Sequence, residues 1–218
     1  MEKNDSRKHF AARCALLLAG LAVMALGVAL SIKAELGTSP ISSVPYVSGL
    51  ISGLSVGTTT IIVNSLFVLE QILMLRSQYD WYQLLQIPVA IVFGLMIDMF
   101  SLLMGDIVLS SYIQQWLFCA AGIIFVALGV SMEVTAELIT TAGEGLVLAI
   151  CQVTSFKFGN VKVAVDVTLV ILAAAASLLV LGELAGVREG TAAAAVLVGL
   201  LTKQFVKPLN HVKQKLAA

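Results

Sequence analysis

The chain has 218 residues, of which 59% are hydrophobic and 12% charged, and its mean hydropathy is +1.00. A soluble domain is about 45–50% apolar and about 25% charged, so this composition excludes a water-soluble globule and predicts an integral membrane protein. Thirteen basic residues balance thirteen acidic ones. Without a net basic field we expect no nucleic-acid partner. The three cysteines and two histidines have no metal-ligand spacing, so we expect no metal or other cofactor.

Six apolar stretches are long enough to cross a bilayer, which takes roughly 20 helical residues. They are Phe10–Ile32, Gly57–Leu75, Leu84–Met104, Tyr112–Met132, Lys162–Leu181 and Glu189–Val206. Two further apolar segments, Pro40–Val56 and Ala142–Phe158, are shorter and are punctuated by proline or glycine. The sequence therefore predicts an all-α, polytopic membrane protein with six long helices and two short interrupted or re-entrant ones.

The chain repeats itself. Ala25-Leu26-Gly27-Val28 recurs 102 residues later as Ala127-Leu128-Gly129-Val130, and Ala34-Glu35-Leu36 recurs at the same offset. Near the end of each copy the offset becomes 105 residues. We therefore divide the chain into a basic tail (1–9), a first repeat (10–104), a linker (105–111), a second repeat (112–206) and another basic tail (207–218).

The number of crossings decides how the two repeats are related. Three crossings per repeat would invert the second repeat relative to the first, whereas four would leave the repeats parallel. The basic tails place both termini in the cytoplasm by the positive-inside rule, and six or eight spans both satisfy this. We favour six spans with inverted repeats and keep eight spans with parallel repeats as the alternative.

Interrupted short helices at equivalent positions of two repeats are typical of transporter binding sites. Polar residues open both segments here, with Ser39 and Ser42 in the first and Thr141 and Glu144 in the second. The N-terminus of a helix carries partial positive charge and can hold an anion. Plain helix capping by the same residues is the alternative.

The offset also pairs neutral polar residues of the first repeat with charged residues of the second: Ser42 with Glu144, Thr60 with Lys162, and Asn64 with Asp166. A carboxylate inside a bilayer costs at least about 2.5–3.5 kcal/mol, so it normally faces a cavity or a partner. We take Glu144, Lys162 and Asp166 as the central candidates for binding a solute or ion. Because two acidic residues face one basic residue, one carboxylate has no counter-charge and is available to bind a proton or a cationic solute. A structural Lys162–Asp166 ion pair is the alternative.

Glu189, at the head of the last long helix, is suited to stabilising that helix N-terminus or to lining the mouth of a cavity. The sequence has no nucleophile elbow, no His-Glu-x-x-His zinc motif and no Walker loop. We therefore expect that the protein is not an enzyme and does not itself use ATP for transport.

Several motifs in order resemble one family of membrane proteins. Leu36-Gly37-Thr38-Ser39-Pro40 and Gly53-Leu54-Ser55-Val56-Gly57-Thr58 are similar to the first half of the YczE/YyaS/YitT-type bacterial integral membrane proteins. Phe158-Gly159 with Lys162 and Asp166, followed by Gly186-Val187-Arg188-Glu189-Gly190-Thr191, resembles the second half of the YczE-like branch. The resemblance covers nearly the whole chain outside the tails and implies a multi-pass protein of the bacterial cytoplasmic membrane.

The leading hypothesis is a secondary transporter of a small cationic or zwitterionic solute, coupled to protons or cations and working by alternating access. Its partners would be the lipid bilayer and the solute, with a possible homodimer through glycine-rich faces. The hydrogen-bonding wall of the site would comprise Ser39, Ser42, Thr60, Asn64 and Thr141. The alternatives are a non-transporting membrane partner or assembly factor, and a passive channel.

Overall fold

The computed structural model describes the backbone of residues 2–217 and the side chains of residues 10–210. This part of the chain forms eight α-helices and contains no strand. The helices are α1 (Glu2–Ala34), α2 (Pro40–Ser52), α3 (Val56–Leu75), α4 (Gln86–Leu103), α5 (Tyr112–Ala136), α6 (Ala142–Thr154), α7 (Phe158–Leu181) and α8 (Glu189–Ala217). Two short 3₁₀ helices, Arg76–Gln78 and Trp81–Leu85, connect α3 to α4.

Six of these helices are long and apolar enough to cross a membrane, namely α1, α3, α4, α5, α7 and α8. The predicted all-α polytopic class and the six long helices are thus confirmed. Large apolar side chains remain exposed along them: Leu73 is 64% exposed, Leu102 84% and Leu179 86%. Such surfaces contact lipid. The short helices α2 and α6 have 13 residues each, about 20 Å at 1.5 Å per residue, which is less than the hydrocarbon thickness.

Both short helices end four residues earlier than predicted. The predicted segments Pro40–Val56 and Ala142–Phe158 stop after Ser52 and Thr154, because the next residue in each case adopts a left-handed conformation that ends the helix. The φ angle is 72° at Gly53 and 59° at Ser155. The next long helix therefore begins within four residues, α3 at Val56 and α7 at Phe158.

Two long helices extend through charged residues that the sequence analysis placed at or beyond a helix end. Helix α5 continues past Met132 through Glu133 to Ala136, and α7 begins one turn before Lys162. Both charged side chains lie against other polar groups of the protein, so a helix can carry them at low cost. The terminal helices also run farther than predicted, to Glu2 and Ala217.

The backbone reproduces the repeat. The first and last residues of α2 and α6 each differ by 102 positions, and α1 and α5 end at Ala34 and Ala136. The residue after each of these long helices is a glutamate with a left-handed backbone: φ is 56° at Glu35 and 49° at Glu137. Equivalent sequences therefore make the same local turn in both repeats.

Helices α1 and α5 cross in antiparallel fashion at two glycine pairs. A Cβ atom built on Gly122 would lie 2.8 Å from the Gly27 carbonyl oxygen, and one built on Gly129 would lie 2.6 Å from that of Gly20. Gly20 and Gly122 are equivalent residues of the two repeats, as are Gly27 and Gly129, so the repeat relates the two contacts to each other. Only glycine permits this backbone contact, which brings the two repeats together along their first helices.

The short helix of each repeat also packs against the other repeat. Helix α2 packs against α7, and α6 packs against α3, so each short helix lies on a long helix of the other repeat. The first turns of α2 and α6 meet, because a Cβ atom built on Gly143 would lie 3.1 Å from Ile41 Cδ1. Around this meeting point Val63, Phe67 and Leu169 form a buried apolar cluster.

Side-chain hydrogen bonds join the loops at the two ends of the bundle. At one end, which we call the Lys33 end, Lys33 Nζ donates to the Gly105 carbonyl and Arg188 donates to the Glu35 carbonyl. At the opposite end, the Arg13 end, Arg13 donates to the carbonyls of Ala136 and Glu137, and Gln152 donates to Gln78. The last turn of α1 and the last turn of α5 therefore lie at opposite ends.

The repeats differ in how their third and fourth helices meet. In the first repeat, a Cβ atom built on Gly94 would lie 2.5 Å from the Gly57 carbonyl oxygen, and the Asp98 carboxylate accepts hydrogen bonds from Gly57 N and Ser55 Oγ at 2.7 and 2.6 Å. In the second repeat, Cβ atoms built on the equivalent Gly159 and Gly199 would meet nothing within 4 Å among the described residues. The glycine contact that joins α3 to α4 thus has no counterpart between α7 and α8.

Candidate functional site

Four charged residues from three helices form a group that we call the acidic cluster: Glu133, Glu144, Lys162 and Asp166. Lys162 Nζ lies 2.7 Å from Asp166 Oδ1, one helical turn along α7. The Glu144 carboxylate, in the first turn of α6, interacts electrostatically with both members of this ion pair. Glu133, from α5, interacts in turn with Glu144. The cluster therefore contains three carboxylates and one ammonium group, and the ammonium group pairs directly with Asp166.

Glu133 is the most enclosed member of the cluster, with a side chain that is 2% exposed. Its Oε1 atom accepts a hydrogen bond from the backbone N–H of Thr141, the N-cap residue of α6, at 2.5 Å. Its Oε2 atom is buried without a hydrogen-bond partner. A buried carboxylate oxygen without a partner is costly, and it has the capacity to accept a proton or a cation.

The cluster contains three acidic groups and one basic group. The N-terminus of α6 contributes partial positive charge beside Glu133 and Glu144, which partly offsets the second and third carboxylates. Binding a proton or a cation would offset the remainder. Among the described residues, no group of histidine, cysteine, aspartate and glutamate is suited to holding a metal ion.

The structure brings together the three central candidates, Glu144, Lys162 and Asp166. The Lys162–Asp166 ion pair, given above as the structural alternative, is also present, so the structure is compatible with a binding role and with a structural role. Thr141 joins the cluster through its backbone, because its N–H group binds Glu133. Its role differs from the hydroxyl contact expected from the sequence.

The remaining predicted residues make other contacts. Thr60 and Asn64 are buried on α3 and donate hydrogen bonds within that helix, to the carbonyls of Val56 and Thr60. Ser39 and Ser42 bond to each other through their hydroxyls at the start of α2. Glu189 lies at the Lys33 end, where it accepts hydrogen bonds from Tyr112 and Arg188.

Sequence reasoning missed Glu133, which is one residue beyond the predicted end of the fourth long helix. A usable signal was present, since the 102-residue offset pairs Glu133 with Ser31. This pair shows the same change from a neutral to a charged residue as the three pairs that identified the other cluster members.

A cavity of about 400 Å³ lies at the Lys33 end, between the loop before α2 and the loop between α7 and α8. We call it the loop cavity. The polar residues that line it are Ser31, Glu35, Thr38, Tyr46, Glu183 and Arg188. The two loops are held together by a hydrogen bond from Thr38 N to the Gly186 carbonyl. The sequence analysis did not identify this cavity.

These features define a multi-pass helical membrane protein with a partly buried group of charged residues in its second repeat. The chain belongs to DUF6198, a family of unknown function whose model matches residues 11–207. It is similar to the Uncharacterized membrane protein YczE of Bacillus subtilis (strain 168), with 26% identity over 210 residues that cover 94% of this chain and 92% of that protein. The YczE-like family predicted from the motifs is thus confirmed. No solved structure matches the chain.

Proposed function

We propose that the protein is a secondary transporter of a small cationic or zwitterionic solute, coupled to a proton or cation. The acidic cluster is the observation that carries this proposal. Ionisable residues inside a membrane are expensive and normally serve an ion or substrate pathway. Here three carboxylates with one ammonium, and a buried Glu133 oxygen without a hydrogen-bond partner, supply a binding group for a proton or cation.

The exchanged contacts between the repeats support alternating access. Each short helix packs on a long helix of the other repeat, and the first turns of both short helices meet. Movement of one repeat against the other would therefore change the surroundings of both helix N-termini together. Such an arrangement of two short helices is found at the binding sites of transporters with repeated halves.

The proposed orientation has six spans and inverted repeats, in the bacterial cytoplasmic membrane with both termini in the cytoplasm. The antiparallel packing of α1 and α5, and the placement of their last turns at opposite ends of the bundle, support inversion. The basic tails support cytoplasmic termini. The Lys33 end, with the loop cavity, would then face the outside.

The test is uptake by purified protein in liposomes, measured against a panel of amines, amino acids and carboxylates at several external pH values. We expect uptake of at least one solute and a pH dependence that Glu144→Gln and Glu133→Gln abolish, because both substitutions remove a proton acceptor. Glu70→Gln is the matched control, since Glu70 is an exposed carboxylate on α3 outside the cluster. It should leave uptake unchanged.

Uptake by Glu144→Gln and Glu133→Gln at the rate and pH dependence of the unaltered protein would contradict the proposal. Absence of uptake for every member of the panel would also contradict it. Size-exclusion profiles and thermal unfolding of each variant separate loss of transport from loss of folding.

A second candidate function is that of a membrane partner for another protein. The observation that favours it is the open face at Gly159 and Gly199, whose equivalents in the first repeat pack tightly against a helix. Small residues on an exposed face allow close helix association. Co-purification of a stoichiometric membrane protein, lost in a Gly199→Leu variant, would support this function over transport.

A further inference from the structure

One residue in the wall of the loop cavity is the repeat equivalent of Glu133. Glu133 binds the Thr141 N–H at the start of α6, and the repeat equivalents of these residues are Ser31 and Ser39, beside the start of α2. Ser31 lines the loop cavity. The N-terminus of α6 therefore has a built-in carboxylate, whereas the equivalent position in the first repeat has a small hydroxyl and open space.

Gln71 and Gln86, which lie near the start of α6, have smaller residues at the equivalent positions near α2. Gln71 Nε2 donates to the Ala142 carbonyl at the start of α6, and the Gln86 amide bonds to Gln71. Their repeat equivalents are Ala173, at the 102-residue offset, and Thr191, at the 105-residue offset. All three equivalent positions around α2 thus carry smaller side chains than those around α6, and one of them, Ser31, lines the cavity.

The cavity wall contains a polar group that lacks a partner. Thr38 lines the cavity and is 1% exposed, and its hydroxyl has no hydrogen-bond partner. A buried hydroxyl without a partner is costly, and a ligand in the cavity that accepted its hydrogen bond would recover that cost. The first helical residue of α2 is only two positions away.

The charges around the cavity select the type of ligand. Arg188, which also pairs with Glu189, favours a carboxylate, whereas Glu35 and Glu183 favour an ammonium group. A simple anion would be repelled by two carboxylates, and a simple cation would leave Arg188 and the Thr38 hydroxyl unused. A small solute with both charges satisfies both sides, and 400 Å³ is within the range of small-molecule pockets.

We propose that the loop cavity binds an α-amino acid or a closely similar zwitterion. Its carboxylate would take, near α2, the place that Glu133 has near α6, with contacts to Thr38 and Arg188. Its ammonium group would face Glu35 and Glu183. As an identification of the transported solute this inference rests on the proposed function, whereas as a binding site it depends on the cavity alone.

The test is equilibrium binding to the full chain in nanodiscs, with thermal stabilisation and titration by each of the common α-amino acids. We expect at least one amino acid to bind, and propionate and ethylamine, which carry one charge each, to bind at least tenfold more weakly. Thr38→Val and Arg188→Gln should each weaken binding at least tenfold. Thr140→Val, at the repeat equivalent of Thr38, is the matched control and should bind with unchanged affinity.

Failure of every amino acid to bind would overturn the inference, as would unchanged affinity in a folded Thr38→Val variant. Solute flux into liposomes distinguishes failure of the binding site from failure of the proposed transport function. Binding in the cavity without flux would remove the transport proposal and leave the site. Flux that Thr38→Val and Arg188→Gln leave unchanged would remove the site and leave transport.

Discussion

Lys162 is the single base of the acidic cluster, and its ion pair with Asp166 is partly shielded, with side chains 28% and 17% exposed. An exposed ion pair contributes about 1 kcal/mol or less, but removing one partner of a shielded pair leaves an uncompensated charge. Here the loss would be larger, because Glu144 would then repel Asp166 with no neighbouring ammonium.

We predict that Lys162→Met lowers the free energy of unfolding by about 2–3 kcal/mol, less than the loss of about 3–5 kcal/mol for a fully buried pair, because both side chains are partly exposed. Thermal unfolding in detergent would measure this as a lower Tm. The double variant Lys162→Met/Asp166→Leu should recover part of the loss, because it also removes one of the carboxylates. A double variant as unstable as Lys162→Met, or more so, would contradict this account.

Three members of the cluster could be predicted because charge in a membrane segment is rare and because the repeat aligned each with a neutral residue. Glu133 was missed, since a charged residue after an apolar stretch has the same pattern as a helix end, although the repeat also pairs it with a neutral residue, Ser31. The loop cavity could not be predicted. It depends on how two loops distant in sequence meet, which residue spacing alone does not show.

The two repeats allow the effect of a glycine contact on helix packing to be compared at equivalent positions. The Gly57 and Gly94 backbones are in contact between α3 and α4, whereas Gly159 and Gly199 are open. A methyl group added at Gly94 would collide with the Gly57 carbonyl, and carbonyl groups cannot move aside as a flexible side chain can.

We predict that Gly94→Ala lowers the free energy of unfolding by about 1–3 kcal/mol, as overpacked sites do. Gly199→Ala, at the repeat equivalent, should change it by no more than about 0.5 kcal/mol or raise it slightly through helix propensity. Thermal unfolding of both variants in one detergent provides the comparison. Equal destabilisation by the two substitutions would show that α7 and α8 pack as closely as α3 and α4.

The long helices could be predicted because length and apolar composition alone identify a segment able to span a bilayer. Their ends were harder to place, because a helix ends where the backbone turns left-handed rather than where polarity begins. Gly53 carries an obvious signal for such a turn, but Ser155, Glu35 and Glu137 are residues that seldom adopt it.

At the scale of the whole molecule, inversion of the repeats makes a definite topological prediction. Reporter fusions in segments 53–55 and 155–157, which are equivalent loops, should report opposite sides of the membrane. Fusions at the two termini should report the same side. Equivalent loops on one side would establish parallel repeats and remove the six-span arrangement.

The repeat itself could be recognised from matching residues, but its geometry could not. Composition and loop charge were compatible with parallel and inverted copies. The antiparallel arrangement comes from the glycine pairs of α1 and α5, and sequence spacing does not show that Gly27 faces Gly122 rather than Gly129.

The missing glycine contact between α7 and α8 also has a mechanical consequence. Backbone contact at Gly57 and Gly94, reinforced by the Asp98 hydrogen bonds, makes α3 and α4 a unit that can move only as one body. Helices α7 and α8 have no such contact at Gly159 and Gly199, so a displacement of α7 would not by itself displace α8. In the alternating-access cycle proposed above, α7 and its ion pair would then move with α2, on which α7 packs, rather than with α8.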